Sequence, residues 1–307
     1  MLDQQNGLFR RHLRFLSFLA ASSLVFWGSL RTLTRIALAH DYDSHILLVV
    51  PISAYFLYRK RHDVFSSVRW DYVRGLVLFL LGTAFGVMSV FMHQFRSVDY
   101  IWIRVIALVI LWIGGFIFFY GVPAFRAARF PLLFLVLLLP VPDFLVERAV
   151  SLLQQGSAFV AFWLFKTVNV PVMREGLVFH IPTLNLEVAK ECSGIHSSVV
   201  LLFTTLLISE FVLRSLWRKS LFVLWAIPIL VLKNGLRIVT ISLLTVYVNR
   251  AFLYGWLHKS GGIVFYLLGL LALLPILKLL KTSEMRTEKG NAVPAEPGLE
   301  QTGGREI

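Results

Sequence analysis

Glu191-Cys192-Ser193-Gly194-Ile195-His196-Ser197-Ser198 leads without a break into an apolar run from Val199 to Leu213, and it holds the only cysteine of the 307-residue chain. The polar stretch reads as the start of a membrane-crossing helix over about 194–213. Ser and Gly are favoured at such a start because the first backbone N–H groups of a helix lack intrahelical partners. The same N–H groups stabilise a nearby thiolate. Cys192 is therefore the candidate nucleophile, against the commoner fate of a lone cysteine as a small buried hydrophobe.

Outward from this junction the chain is 57% hydrophobic and 15% charged, with a mean hydropathy of +0.75, which excludes an ordinary soluble domain. One polytopic membrane domain over 1–282 is expected. The net charge of +13 does not point to nucleic acid, because Lys and Arg cluster in short loops between apolar runs and act as topology signals. A single cysteine allows no internal disulfide. The first apolar run follows Arg10, Arg11 and Arg14 and imitates a signal peptide with a weak cleavage site at Ala37-Leu38-Ala39. Arg31 and Arg35 interrupt the approach to that site, so a retained anchor is expected.

Apolar runs predict an all-α polytopic membrane protein of about eight transmembrane helices. They fall at about 14–30, 44–58, 75–92 and 101–119, from Phe130 through Pro140 and Pro142, and at about 194–213, 221–248 and 263–280. Asp143 to Lys166 mixes Glu147, Arg148, Gln154 and Gln155 with apolar residues at helical spacing. It reads as an amphipathic helix, lying in the interface or completing the fifth span. Leu177–Ile181 and Leu184–Val188, joined around Pro182-Thr183, read as an extracytoplasmic β-hairpin before Cys192, with an irregular loop as the alternative. A free edge of that hairpin would add an extended substrate as a further strand, and a proline near Val178 tests this. From Thr282 the composition loses apolar periodicity, so 283–307 is expected to be a disordered cytoplasmic tail.

The basic clusters Arg10/Arg11/Arg14, Arg59/Lys60/Arg61, Arg126/Arg129, Arg214/Arg218/Lys219 and Lys278/Lys281 fall on alternate connections, which assigns them to the cytoplasm. Cys192 then enters its span from the outer side. Arg237 follows Lys219 by about 18 residues, roughly 27 Å of helix, and reaches the same face. His258 opens the last span there. An intramembrane Arg is a functional candidate by default, whereas snorkelling to headgroups is the competing reading for Arg237 and still more for Lys233.

Cys192-Ser193-Gly194-Ile195, Asn234-Gly235-Leu236-Arg237-Ile238 and His258 with Gly261-Gly262 resemble, in that order and spacing, the motifs of the exosortase/archaeosortase family of membrane cysteine transpeptidases. Asp43-Ser44-His45 and the Phe130-Pro131 to Pro142 run support the resemblance, which covers about 40–280. It implies that Cys192 is the nucleophile, Arg237 the transition-state stabiliser and His258 the general acid/base, with Ser193, Gly194 and Asn234 supporting. It implies no cofactor or metal. The substrates it implies are exported proteins ending in a short motif such as Pro-Glu-Pro, a transmembrane helix and a basic end. These are handed to an unspecified acceptor at the inner membrane of a prokaryote, with the site facing outward. The extra C-terminal domain of some family members is not expected here.

Membrane lipid is the other expected partner, and nucleic acid is not expected. A metal pair of His196 with Cys192, completed by Glu191 or His180, is disfavoured beside an Arg. Two rival classes remain open. One is a transporter or channel subunit whose Lys233 and Arg237 mark a path for an anionic substrate, although no inverted repeat is evident. The other is an intramembrane protease using Ser193 or Ser197 with His258.

Overall fold

A computed structural model describes residues 2–66, 68–91, 98–181, 184–189, 194–253, 255 and 261–291. The apolar runs fold as helices throughout, since a bilayer interior leaves backbone N–H and C=O groups no partner outside their own segment. In chain order these are α1 (Leu2–Val25), α2 (Trp27–Ala39), α3 (Ile46–Arg59), α4 (Arg61–Phe65), α5 (Tyr72–Phe91), α6 (Val98–Ala127) and α7 (Arg129–Phe134). They continue with α8 (Asp143–Thr167), α9 (Ile195–Val212), α10 (Leu216–Tyr247) and α11 (Gly262–Asn291). Short 3-10 turns cover Asp41–Asp43, Leu135–Leu138 and Arg250–Leu253.

Among the described residues, five helices are long and apolar enough to cross a membrane. Two bent pairs raise the number to seven: α1 with α2, bent by 75°, and Arg129–Leu138 with α8, bent by 95°. The expected eight follows only if α3 is also counted as a span. It is apolar but has 14 residues, about 21 Å at helical rise against a hydrocarbon core of about 30 Å. The break between Leu138 and Asp143 comes at Pro140 and Pro142, where a missing N–H and a clashing ring stop the helix. Beyond it α8 lies along α10, so the fifth run is a broken pair. The run around Lys233 and Arg237 is not a break: α10 is continuous from Leu216 to Tyr247. At the other end of the chain, the helix expected to finish near residue 280 continues to Asn291.

The expected hairpin forms as β2 (Val178–Ile181) paired antiparallel with β3 (Leu184–Glu187), its turn at Pro182-Thr183 lying outside the described residues. A third strand not anticipated from the sequence, β1 (Met173–Glu175), pairs with β2 on its other side. Val178 is therefore on the middle strand. A proline there would break pairing on both sides and would not test an open edge.

Among the described residues four apolar cores hold the bundle, the smallest joining Phe26 to Ala107, Leu108 and Leu111 of α6. One joins α1, α2, α3, α6 and α7 through residues such as Phe15, Val49, Phe116 and Tyr120. A second packs the sheet between α8 and α10 through Phe165, Phe179, Val188 and Ile238. The third joins α9, α10 and α11 through Leu201, Phe222, Leu230 and Leu273.

At the basic end of the bundle, two carboxylates bind the connections together. Glu210 of α9, with its side chain 4% exposed, accepts from Lys60 at 2.6 Å and from Lys219. Glu284 of α11 accepts the backbone N–H groups of Arg214 (3.1 Å) and Ser215 (2.7 Å), which open α10 and would otherwise be orphaned. Lys60 and Lys219, expected as topology signals, are thus also structural. Replacing Glu210 by Ala leaves two ammonium groups facing each other and should cost about 3 kcal/mol. The detergent-solubilised variant should melt several degrees lower, whereas an unchanged melting temperature would reduce these contacts to surface ion pairs.

Candidate functional site

The α8, α9 and α10 helices meet at a small polar centre, and its closeness depends on two glycines. A Cβ on Gly235 of α10 would lie 2.6 Å from Val160 Cγ1 and 3.2 Å from the Ser157 carbonyl of α8, so only glycine lets these two helices approach. Gly194, the residue before α9, has φ +68°, and a Cβ there would lie 2.6 Å from Oδ1 of Asn234. Both the backbone conformation and the space exclude a side chain. The Asn-Gly pair of α10 therefore serves two neighbours, Asn234 against the Gly194 turn and Gly235 against α8.

Buried hydrogen bonds complete the centre. Asn234 Nδ2 donates to Ser157 Oγ at 3.0 Å. Lys233 Nζ donates to Ser197 Oγ at 2.7 Å, and Ser197 Oγ donates to the Gly194 carbonyl at 3.1 Å. That carbonyl also accepts the Ser198 N–H at 2.9 Å, the first backbone bond of α9. On the other side, Gln154 Nε2 of α8 donates to the Val188 carbonyl at 2.7 Å, just after β3. Gln154 of α8 thus fixes the chain at Val188, and Lys233 of α10, through Ser197, fixes it at Gly194; Cys192 lies between these two points in the sequence. Arg237 is half-buried on α10, one turn beyond Lys233 on the same face.

Of the six residues expected at the site, Gly194, Asn234 and Arg237 are placed on α10 or against it. Cys192, Ser193 and His258 lie outside the described residues. Lys233 does not snorkel: it is 3% exposed and bonded within the bundle. Gln154 and Ser157 were not singled out from the sequence. Their signal was present, as two polar residues three apart on the face of α8 that buries Ala158, Ala161 and Phe165.

The Asp43-Ser44-His45 stretch lies against α9, with the His45 ring 5.7 Å from that of Phe203. Asp43 is 3% exposed, and its Oδ1 meets no partner among the described residues. Burial pushes its carboxyl above the ordinary range; neighbouring His40 opposes this and Asp143 adds to it. Burial pushes His45 down, toward the neutral ring, and the hydrogen bond between its Nδ1 and the Tyr42 carbonyl at 3.0 Å opposes this.

The model of the transmembrane exosortase family matches residues 27–275. The chain belongs to the transmembrane exosortase family. No curated protein and no solved structure matches it.

Gly194→Ala should force Asn234 away from the turn and cost about 1–3 kcal/mol in strain, with loss of whatever activity the turn supports. Gly176 supplies the control, because its φ is +62° but nothing lies within 4 Å of an added Cβ. Gly176→Ala should cost about 1 kcal/mol and leave activity intact. Equal melting temperatures and activities for the two variants would contradict the packing assigned to Gly194.

Proposed function

We propose that this integral membrane protein is a cysteine transpeptidase that removes a C-terminal sorting signal from exported proteins through a thioester. The observation that carries the reading is the fixing of the chain at Val188 by Gln154 and at the Gly194 carbonyl by Ser197, in a chain of the transmembrane exosortase family. Such anchoring suits a nucleophile segment, because acyl transfer needs its reacting atom held within a few tenths of an ångström.

The Cys192 thiolate attacks the scissile carbonyl, and the negative charge that develops on its oxygen is met by Arg237, whose guanidinium stays charged and offers several donors. The C–N bond then breaks. His258 gives its proton to the departing amine, which leaves with the C-terminal helix, and the rest of the substrate is held as a thioester on Cys192. The acceptor loses a proton to His258 and attacks the thioester carbonyl, the C–S bond breaks, and the thiolate returns. By the alternation of basic loops, the site faces the extracytoplasmic side of a prokaryotic inner membrane. A Pro-Glu-Pro-type motif ahead of a transmembrane helix and basic end is the substrate class.

The test is co-expression with a substrate of that class. Wild type should release the C-terminal helix, Cys192→Ala should retain it, and Arg237→Ala should slow release by about 10²–10³-fold. Release that persists in Cys192→Ala would remove the cysteine from the reaction and return weight to a serine nucleophile.

A further inference from the structure

Lys233 is a buried charged group of this polar centre that the reaction above leaves unused. Among the described residues its one polar partner is the neutral Ser197 hydroxyl, and it forms no ion pair. Its aliphatic stem runs between helices: Cδ lies 3.3 Å from where a Cβ on Gly269 of α11 would sit. Arg237, one turn along α10, adds a second positive charge on the same face. Among the described residues nothing offsets the several kcal/mol that burying an ammonium costs, a cost an apolar side chain of similar length would not carry. The arrangement is sensible if negative charge forms beside it at some stage of the reaction.

Ser197 supplies the mechanical connection. It receives the Lys233 bond and passes its own hydrogen to the Gly194 carbonyl. That carbonyl belongs to left-handed Gly194, two residues after Cys192 in the sequence.

We propose that Lys233 is a positioning residue of the acyl-transfer site, holding the Gly194 turn through Ser197 and supplying positive charge beside that turn, which follows Cys192 in the sequence. This rests on the cysteine transpeptidase reading. The functional role separates from a structural one because the two predict opposite effects on stability. Lys233→Met keeps the length of the side chain and removes the buried charge, so the folded protein should melt at the same or a higher temperature.

The experiment compares wild type, Lys233→Met, Lys233→Arg, Ser197→Ala and Cys192→Ala as full chains in detergent and in cells. It reads melting temperature, the pH dependence of maleimide addition to the single thiol, and substrate release. In Lys233→Met the alkylation midpoint should move to higher pH and release should fall about tenfold, less than loss of a direct oxyanion donor costs, with no loss of melting temperature. Lys233→Arg should keep the wild-type midpoint. Wild-type alkylation and release in Lys233→Met would overturn the proposal. So would a lowered melting temperature with an unmoved midpoint, which marks a purely structural lysine. Release that survives in Cys192→Ala but is lost in Ser197→Ala would instead make Ser197 the nucleophile with Lys233 as its base, and would overturn the underlying reading as well.

Discussion

The close approach of α8, α9 and α10 is the constraint on which the remaining architecture depends. Between membrane helices there is little hydrophobic gain to be had, so association relies on small residues that admit backbone contact and on polar groups that bond across the gap. Gly235 provides the first condition, bringing the α8 backbone to the α10 surface. Asn234 and Ser157 provide the second with a bond that has no competing water. Once these helices are locked, the position of Gly194 follows, because Asn234 occupies the space a side chain would need.

The sheet extends this arrangement. Three short strands need an apolar face or a helix to pack against, and here the middle strand is buried through Phe179 against Phe165 of α8, with Ile238 and Val239 of α10 in the same core. The sheet is thereby tied to the helices that hold Gly194, and its exit at Val188 is bonded to Gln154. The opposite end of the bundle is closed by different physics: Glu210 and Glu284 neutralise and cap the basic connections around Lys60 and Arg214 to Lys219.

Much of this could be read from residues. The hydrophobic runs gave the helices, and Pro140 and Pro142 marked the break ahead of α8. The alternation of residues 177–188 gave β2 and β3, but β1 was missed because Met173-Arg174-Glu175 has three residues and no apolar alternation. The relevance of Gly194, Asn234 and Arg237 came from motif order. What sequence could not supply was the partner of each. Nothing local says that Asn234 faces Ser157, or that Lys233 turns inward to Ser197; both depend on how α8 and α9 cross α10. A lysine in an apolar run reads equally as snorkelling or buried, and only the packing decides.

The central claim is that substrate passes through a thioester on Cys192. The most direct measurement is mass spectrometry of the released substrate after reaction in the presence of hydroxylamine, a strong small nucleophile able to intercept an acyl-enzyme. A thioester route predicts a C-terminal hydroxamate whose share rises with hydroxylamine concentration and which disappears in Cys192→Ala. A free carboxylate whatever the hydroxylamine concentration, or hydroxamate formation that persists without the cysteine, would contradict the account.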